Sequence, residues 1–152
     1  MRDRRFVAEH RGGVLSRESH VCLARWAVDC AEVVIGRFEV ESSDERPREA
    51  LRTGRRWADG EVRTGVAMKA AVAAHAAARS VSDPAAVAAA RAAGHAVATA
   101  HCADHCVGAL LYAMKALKAA GMDARVEFER QIERLPETLR DQVALRSLGF
   151  EI

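Results

Sequence analysis

A short run near the middle of the chain contains several side chains that could bind a metal. Residues 101–106 read HCADHC and hold five potential ligands. If one helix continues through this run, His101 and His105 lie one turn apart on the same face, which is a workable half-site for zinc. The remaining ligands would come from His75, His95 or Asp104. One interpretation is therefore a metal-binding protein or metal-dependent enzyme built on His75, His95, His101 and His105.

The same histidines also suit a structural role. No glutamate lies between His101 and His105, so the spacing is not that of the HExxH zinc motif. Imidazoles that hydrogen-bond to carbonyls or carboxylates would join charge-poor helices through a few polar links. We expect this structural role and no cofactor, and we keep one zinc or other divalent metal as the alternative.

Cysteine chemistry is a weaker candidate. Cys30 falls on an apolar helical stripe with Leu23 and Trp26, whereas a nucleophilic thiolate needs exposure and a cationic setting. The four cysteines show no CxxC spacing, and the N-terminal run MRDRRFVAEHRGG has no apolar core of a signal peptide. We therefore expect reduced thiols and a cytoplasmic protein.

A charged segment offers a different kind of chemistry. Residues 39–49 read EVESSDERPRE, with five carboxylates and two arginines around a predicted helix start. The segment could be a solvated loop with a good helix cap, or a charged edge that recognises a partner protein. Arg46 and Arg48 could also clamp a carboxylate, such as Asp29, in bidentate fashion.

The elements that must position these residues are predicted to be helices. Apolar residues recur every three or four positions between Leu23 and Phe38, which predicts a helix over 17–39 capped by Ser16 or Ser19. Breaks at glycine, proline and capping residues predict the remaining helices. These begin near Asp44 (ending at Gly60), Thr64 (to 79), Pro84 (to 100), Asp104 (to 120), Asp123 and Pro136 (to 148). A single helix continuing through 101–105 with a kink is the alternative.

Charge and alanine content predict how these helices pack. Alanine provides 32 of the 152 residues, and residues 64–122 carry only five basic and two acidic side chains. Small residues recur every four positions at Ala86, Ala90, Gly94 and Ala98, so a neighbouring helix can approach closely. The sequence predicts an all-α single domain over 16–152, after an N-terminal extension over 1–15. We expect six to seven antiparallel helices around an alanine-rich buried central hairpin.

Length and charge exclude several classes of function. A 16.5 kDa chain suits one domain, and its net charge of +2 gives no reason to expect nucleic-acid binding. The longest uncharged run, residues 92–103, is too short to span a membrane. The phosphate-binding and nucleophile-elbow motifs are absent. The alanine faces could also continue across a two-fold axis, which leaves a homodimer open.

Several sequence blocks resemble one protein family. They are RWAVDCAEVV (25–34), DERPREAL (44–51), AAHAAAR (73–79), AAGHAVATAH (92–101) and ERLPE (133–137). On these blocks the chain resembles the bacterial Imm-5-like family of putative immunity proteins. The chain departs from the family pattern at 102–104, where we expect small residues or a proline-glycine break and find Cys-Ala-Asp.

The resemblance implies a protein that binds and neutralises a cognate toxin without catalysis. It also gives the characteristic positions of the family: Asp29, Cys30, Asp44, Arg46, Pro47, Arg48, Trp57, His75, His95, His101 and His105. We expect the toxin to contact Asp29, Asp44, Arg46, Arg48 and Trp57. The alternatives are the metal-dependent enzyme described above and a dimerising helical scaffold.

Overall fold

The computed structural model describes residues 3–149, which form eight α-helices preceded by two short 3-10 turns. No β-strand occurs within this range, although an isolated bridge joins Ala8 and Leu15. The predicted all-α fold is confirmed. The helices are α1 (Arg17–Glu32), α2 (Ile35–Glu39), α3 (Arg46–Ala58), α4 (Thr64–Ala78), α5 (Pro84–Ala98), α6 (His105–Ala119), α7 (Ala124–Glu133) and α8 (Glu137–Ser147).

The predicted count of six to seven helices is wrong because the first predicted helix is two helices. The chain turns at Val33 and Val34 and begins α2 at Ile35. Three β-branched residues in succession, followed by Gly36, give this stretch low helix propensity. The turn places Phe38 in the core and packs α2 against α5, so the arrangement is not a simple antiparallel series.

Local capping chemistry sets most of the helix starts. The side chains of Ser16, Asp83 and Asp123 accept hydrogen bonds from backbone N–H groups in the first turns of α1, α5 and α7. Thr64 is the first residue of α4, and its hydroxyl accepts a hydrogen bond from the Trp57 indole at 3.1 Å. That bond ties the start of α4 to the end of α3.

The helix does not continue through residues 101–105. Helix α5 ends at Ala98 and α6 begins at His105, with turns between them. The Thr99 hydroxyl donates to the His95 carbonyl at 3.1 Å, which satisfies one carbonyl at the end of α5. The two histidines of the HCADHC run are therefore not on one helical face, and the zinc half-site that required a continuous helix does not form.

Helix α5 lies at the centre of the fold. It packs against α1, α2, α3, α4 and α6, and eleven of its fifteen residues are buried. All eleven are alanine, glycine or valine, so the neighbouring helices approach its backbone closely. The predicted alanine-rich hairpin is buried along α5, whereas α4 exposes Val66, Met68 and Val72 on its outer face.

Larger side chains from the flanking helices complete the core. Phe38, Leu51 and Leu110 are almost fully buried, and the Trp26 indole donates to the Gln131 carbonyl at 2.7 Å. The segment that precedes α1 also contributes, because Phe6 and Leu15 belong to the same apolar cluster. In the part of the chain described, no helix is long and apolar enough to cross a membrane.

A substitution at Gly54 would test how closely α3 approaches the neighbouring helices. A Cβ at this position would lie 2.8 Å from the Val28 Cγ2 and 3.7 Å from the Val97 Cα. We expect Gly54→Ala to lower the free energy of unfolding by about 1 kcal/mol, because the overlap outweighs the gain in helix propensity. Urea unfolding followed by circular dichroism measures the change.

Gly65→Ala is the matched control, because a Cβ at Gly65 meets open space. This variant should be as stable as the wild type or slightly more stable. Val28→Ala should also destabilise the Gly54→Ala protein less than it destabilises the wild type, because it removes the clashing methyl. Equal stabilities of the two glycine variants would contradict the close approach of α1 and α3.

Candidate functional site

Three histidines from three successive helices form a row inside the bundle. The ring centroids of His75 in α4 and His95 in α5 are 5.2 Å apart, edge to face. The His95 ring lies 5.3 Å from that of His105 in α6 and stacks on Tyr112 at 5.1 Å. The structure thus brings together three of the four predicted metal ligands, with a tyrosine that was not among the predicted ligands. We call His75, His95, His105 and Tyr112 the histidine row.

Two glycines make room for the row. A Cβ on Gly94 would lie 2.6 Å from the His75 ring, and a Cβ on Gly108 would lie 2.5 Å from the His95 Nδ1. Real Cβ atoms essentially never make contacts this short, so each ring occupies the space that a side chain would fill. Gly94 therefore has the packing reason that its position in the middle of a helix suggested.

Partial burial favours the neutral imidazoles of His75 and His95 by lowering their pKa values. Desolvation is the largest cause, and the positive charges that His105 and His75 can carry are the next, of a lowering of the His95 pKa to about 4. The pKa of His75 is also lowered, mainly by desolvation and then by Arg91. The Nδ1 atoms of His95 and His105 are 3.2 Å apart, so one ring donates the shared proton and the other accepts it.

His101 does not join the row. It lines a small, separate cavity near the N-terminal segment together with His20, which is a consequence of the break between α5 and α6. Among residues 3–149, no three histidine, cysteine, aspartate or glutamate side chains are grouped so that they could hold a metal ion. The four-histidine metal site predicted from the sequence does not assemble in this part of the chain.

The cysteines do not provide a nucleophile either. Cys30 and Cys106 are fully buried, and burial raises the pKa of both thiols. The Cys102 thiol donates to the Asp104 carboxylate at 3.0 Å, beside the start of α6. All four cysteines are free thiols.

Two of the predicted partner-binding residues, Asp29 and Arg48, belong to a line of three ion pairs between α1 and α3. Arg25 pairs with Asp59 at 2.6 Å, Asp29 with Arg55 at 3.1 Å, and Glu32 with Arg48 at 2.7 Å. Positions that advance along α1 pair with positions that go back along α3, so the two helices run antiparallel. We call these three pairs the charged seam.

The seam continues into the segment that precedes α3. Arg48 also holds Glu39 through two nitrogens, and Arg46 holds Asp44 in the same bidentate manner. The predicted clamp therefore forms, but on Glu39 and Asp44, because Asp29 is taken by Arg55 and by Arg134 of the α7–α8 turn.

Trp57 is placed differently from the other predicted contact residues. Its side chain is buried, packs against the tilted His20 ring with 5.0 Å between the ring centroids, and lies under the Arg17 guanidinium. His20 in turn hydrogen-bonds to the Thr99 carbonyl at 2.6 Å. Trp57 therefore anchors the end of α3, and a partner would meet the charged residues before it met the indole.

A cleft beside the histidine row was not predicted. Its volume is about 920 Å³, and its floor is one face of α6. The lining positions on α6 are related by spacings of three or four residues, so they lie on one face of the helix. This spacing is visible in the sequence, but it indicates a cleft only when the positions of the neighbouring helices are known. We call it the α6 cleft; it is lined by His95, Asp104, His105, Val107, Gly108, Leu111, Tyr112, Met114, Lys115, Lys118, Ala119 and Arg146.

Fold and site define a small all-helical protein with an internal histidine row, an open cleft and an ion-paired surface. The family model described as Imm-5 like putative immunity protein matches residues 13–138. The chain belongs to this family, as the sequence blocks indicated. No curated protein and no solved structure matches the chain.

The histidine row should make stability depend on pH in a defined window. Because the pKa of His95 is lowered to about 4 from 6.5, its neutral form stabilises the fold, and that stability falls as the pH drops through this range. The carboxyls of Glu39 and Asp44, whose pKa values are also lowered, lose their contribution only below their ordinary values of 4.5 and 3.8. The interval from pH 7 to 4.5 therefore isolates the histidines.

We expect the free energy of unfolding to fall by about 2 kcal/mol or more over this interval, and by about 2 kcal/mol less in His95→Gln. Urea unfolding at a series of pH values gives both slopes. An NMR titration of the wild-type imidazoles should show one ring that titrates well below 6.5. Parallel slopes for the variant and the wild type would contradict the buried neutral state of His95.

Proposed function

We propose that this protein binds a toxin protein and neutralises it by forming a complex, without catalysing a reaction. Membership of the immunity-protein family supports a toxin as the partner. The charged seam supports the mode of binding, and it is the observation on which the proposed contact surface rests.

The seam is better suited to recognition than to stability. Exposed ion pairs typically contribute about 0–1 kcal/mol each to folding. The side chains of Arg25, Asp59, Glu32 and Arg55 are all more than two-fifths exposed, so these pairs add little to the stability of the bundle. They do hold charges of both signs in fixed positions at the surface. Fixed, complementary charges steer a partner and select against incorrect ones.

Rigid support beneath the seam reduces the entropic cost of binding. Trp57 is a buried residue of α3, and its bond to Thr64 fixes the turn that follows. Asp29 connects α1 to α3 and to the α7–α8 turn through its two arginine partners. A partner would therefore meet side chains that are already ordered, and less side-chain entropy is lost on association.

The proposal includes a cytoplasmic location. Four cysteines remain unpaired in the fold, and a reducing compartment keeps such thiols in that state. The proposed contact residues are Asp29, Asp44, Arg46 and Arg48, with Trp57 as the buried support.

The test is binding to, and protection against, the toxin candidate encoded beside the gene of this protein. Wild-type protein should restore growth of cells that express the toxin and should bind it in a stoichiometric complex. The double variant Asp44→Arg/Arg48→Glu reverses two charges of the surface without changing the net charge. We expect it to bind at least about tenfold more weakly, as measured by calorimetry, and to protect poorly.

Two further variants separate recognition from folding. Arg25→Asp/Asp59→Arg exchanges the ends of one pair, so the ion pair survives while the local field is reversed; binding should weaken and thermal stability should not. Asp141→Arg/Arg125→Glu makes the same charge changes at exposed residues of α8 and α7 that form no ion pair within residues 3–149, and it should bind normally. Full protection by both Asp44→Arg/Arg48→Glu and Arg25→Asp/Asp59→Arg would refute the seam as the contact surface.

A further inference from the structure

The α6 cleft has no part in the proposed toxin contact. Asp104, Gly108, Leu111, Lys115 and Lys118 line it at intervals of three or four residues, so they share one face of α6. From the start of α6 to Ala119, this face is roughly 20 Å long. The cleft volume of about 920 Å³ falls near the upper end of the range for small-molecule sites, about 300–1,000 Å³.

Three cations line the later half of the cleft. Lys115, Lys118 and Arg146 form no ion pair with any residue between 3 and 149, whereas nine arginines elsewhere in that range do. Lys115 lies over the Tyr112 ring, with its ammonium 5.7 Å from the ring centroid. Arg146 is close enough to Asp3 to help lower the pKa of that carboxyl, but not to form an ion pair with it. Three positive charges on one wall attract an anion.

The other half of the cleft has a different character. The neutral ring of His95 and the ring of His105 lie beside Asp104, the one acidic residue among the lining residues that the structure describes. Between the two halves, Val107, Leu111 and Met114 provide an apolar floor. The lining therefore places a cationic region, an apolar region and a hydrogen-bonding region along the length of the cleft.

We propose that the α6 cleft binds a small amphipathic anion, a carboxylate or a similar acid carried on an apolar body. The acid group pairs with Lys115, Lys118 and Arg146, and the apolar body lies along Leu111 and the neighbouring floor. This site is separate from the charged seam and does not depend on the toxin-binding function. The cleft volume favours a small molecule over a segment of a partner protein as the occupant.

The chain contains only three lysines, so each one can be followed separately in a binding experiment. Reductive methylation with ¹³C-labelled formaldehyde gives one NMR signal for each of Lys69, Lys115 and Lys118. Dodecanoate, added below its micellar concentration, is the probe. We expect the signals of Lys115 and Lys118 to shift in a saturable manner, while the signal of Lys69, exposed on α4, stays in place. Equal shifts of all three signals, or no shift up to about 1 mM, would overturn the proposal.

Calorimetry on unmodified protein supplies the second arm. The variant Lys118→Glu/Arg146→Glu should weaken dodecanoate binding by about tenfold or more, and Lys69→Glu/Arg125→Glu, with the same change in net charge, should not. Dodecanol in place of dodecanoate should also bind weakly, because it lacks the acid group. Equal affinity of the two charge-reversed variants would overturn the assigned cationic wall.

A third arm distinguishes a free small molecule from an acidic protein segment. A capped peptide of alternating leucine and glutamate offers the same acid groups and apolar groups on a polypeptide backbone. We expect dodecanoate to bind about tenfold more tightly than this peptide. The reverse preference would show that the cleft receives a protein segment, and it would refute the small-molecule assignment.

Discussion

The structure depends on the small size of the side chains along α5. Every buried residue of this helix is alanine, glycine or valine, and five other helices pack against it. Interiors are packed to crystal-like density, so small side chains at a helix contact must be matched by a short distance between the backbones. A larger residue on α5 would push at least one of these neighbours outward.

The histidine row is a direct product of this close packing. Imidazole rings from α4 and α5 cross to the next helix only because Gly94 and Gly108 leave their space open. Desolvation favours the neutral form of the His75 and His95 rings, and the bond between His95 and His105 satisfies one polar atom of each. The Nδ1 of His75 is buried and has no hydrogen-bond partner among the described residues, so the row is not fully satisfied. The glycines thus couple the packing of the bundle to the polar wall of the α6 cleft.

Because the buried residues of α5 are small, most of the apolar surface that is buried on folding belongs to other helices. Burying a methyl group removes little apolar surface from water, so the alanines of α5 contribute less per residue than a leucine would. The larger buried side chains come from elsewhere, such as Leu23 and Trp26 in α1, Phe38 in α2 and Leu110 in α6. Helix α5 therefore sets the distances between helices, and the surrounding helices supply most of the apolar area.

Local features of the fold could be predicted from the sequence, whereas the site could not. Ser16, Asp83 and Asp123 cap their own helices, so each cap depends on residues within one turn, and the family blocks are equally local. The turn at Val33 and Val34 was missed because apolar spacing continues across it, although the backbone does not. The grouping of the histidines depends on tertiary packing: His95 meets His105 across Gly108, while His101 turns away with the α5–α6 break. No spacing rule along one chain contains that information.

The charged seam and the α6 cleft differ in whether their charged side chains already form ion pairs. In the charged seam each charge already has a partner of opposite sign, so a ligand gains little from one group and must cover many at once, as a protein does. Lys118 and Arg146 have no such partner within residues 3–149, and a single acid group can gain their full attraction. Paired charges thus favour a broad contact with a protein, and unpaired charges above an apolar floor favour a small anion.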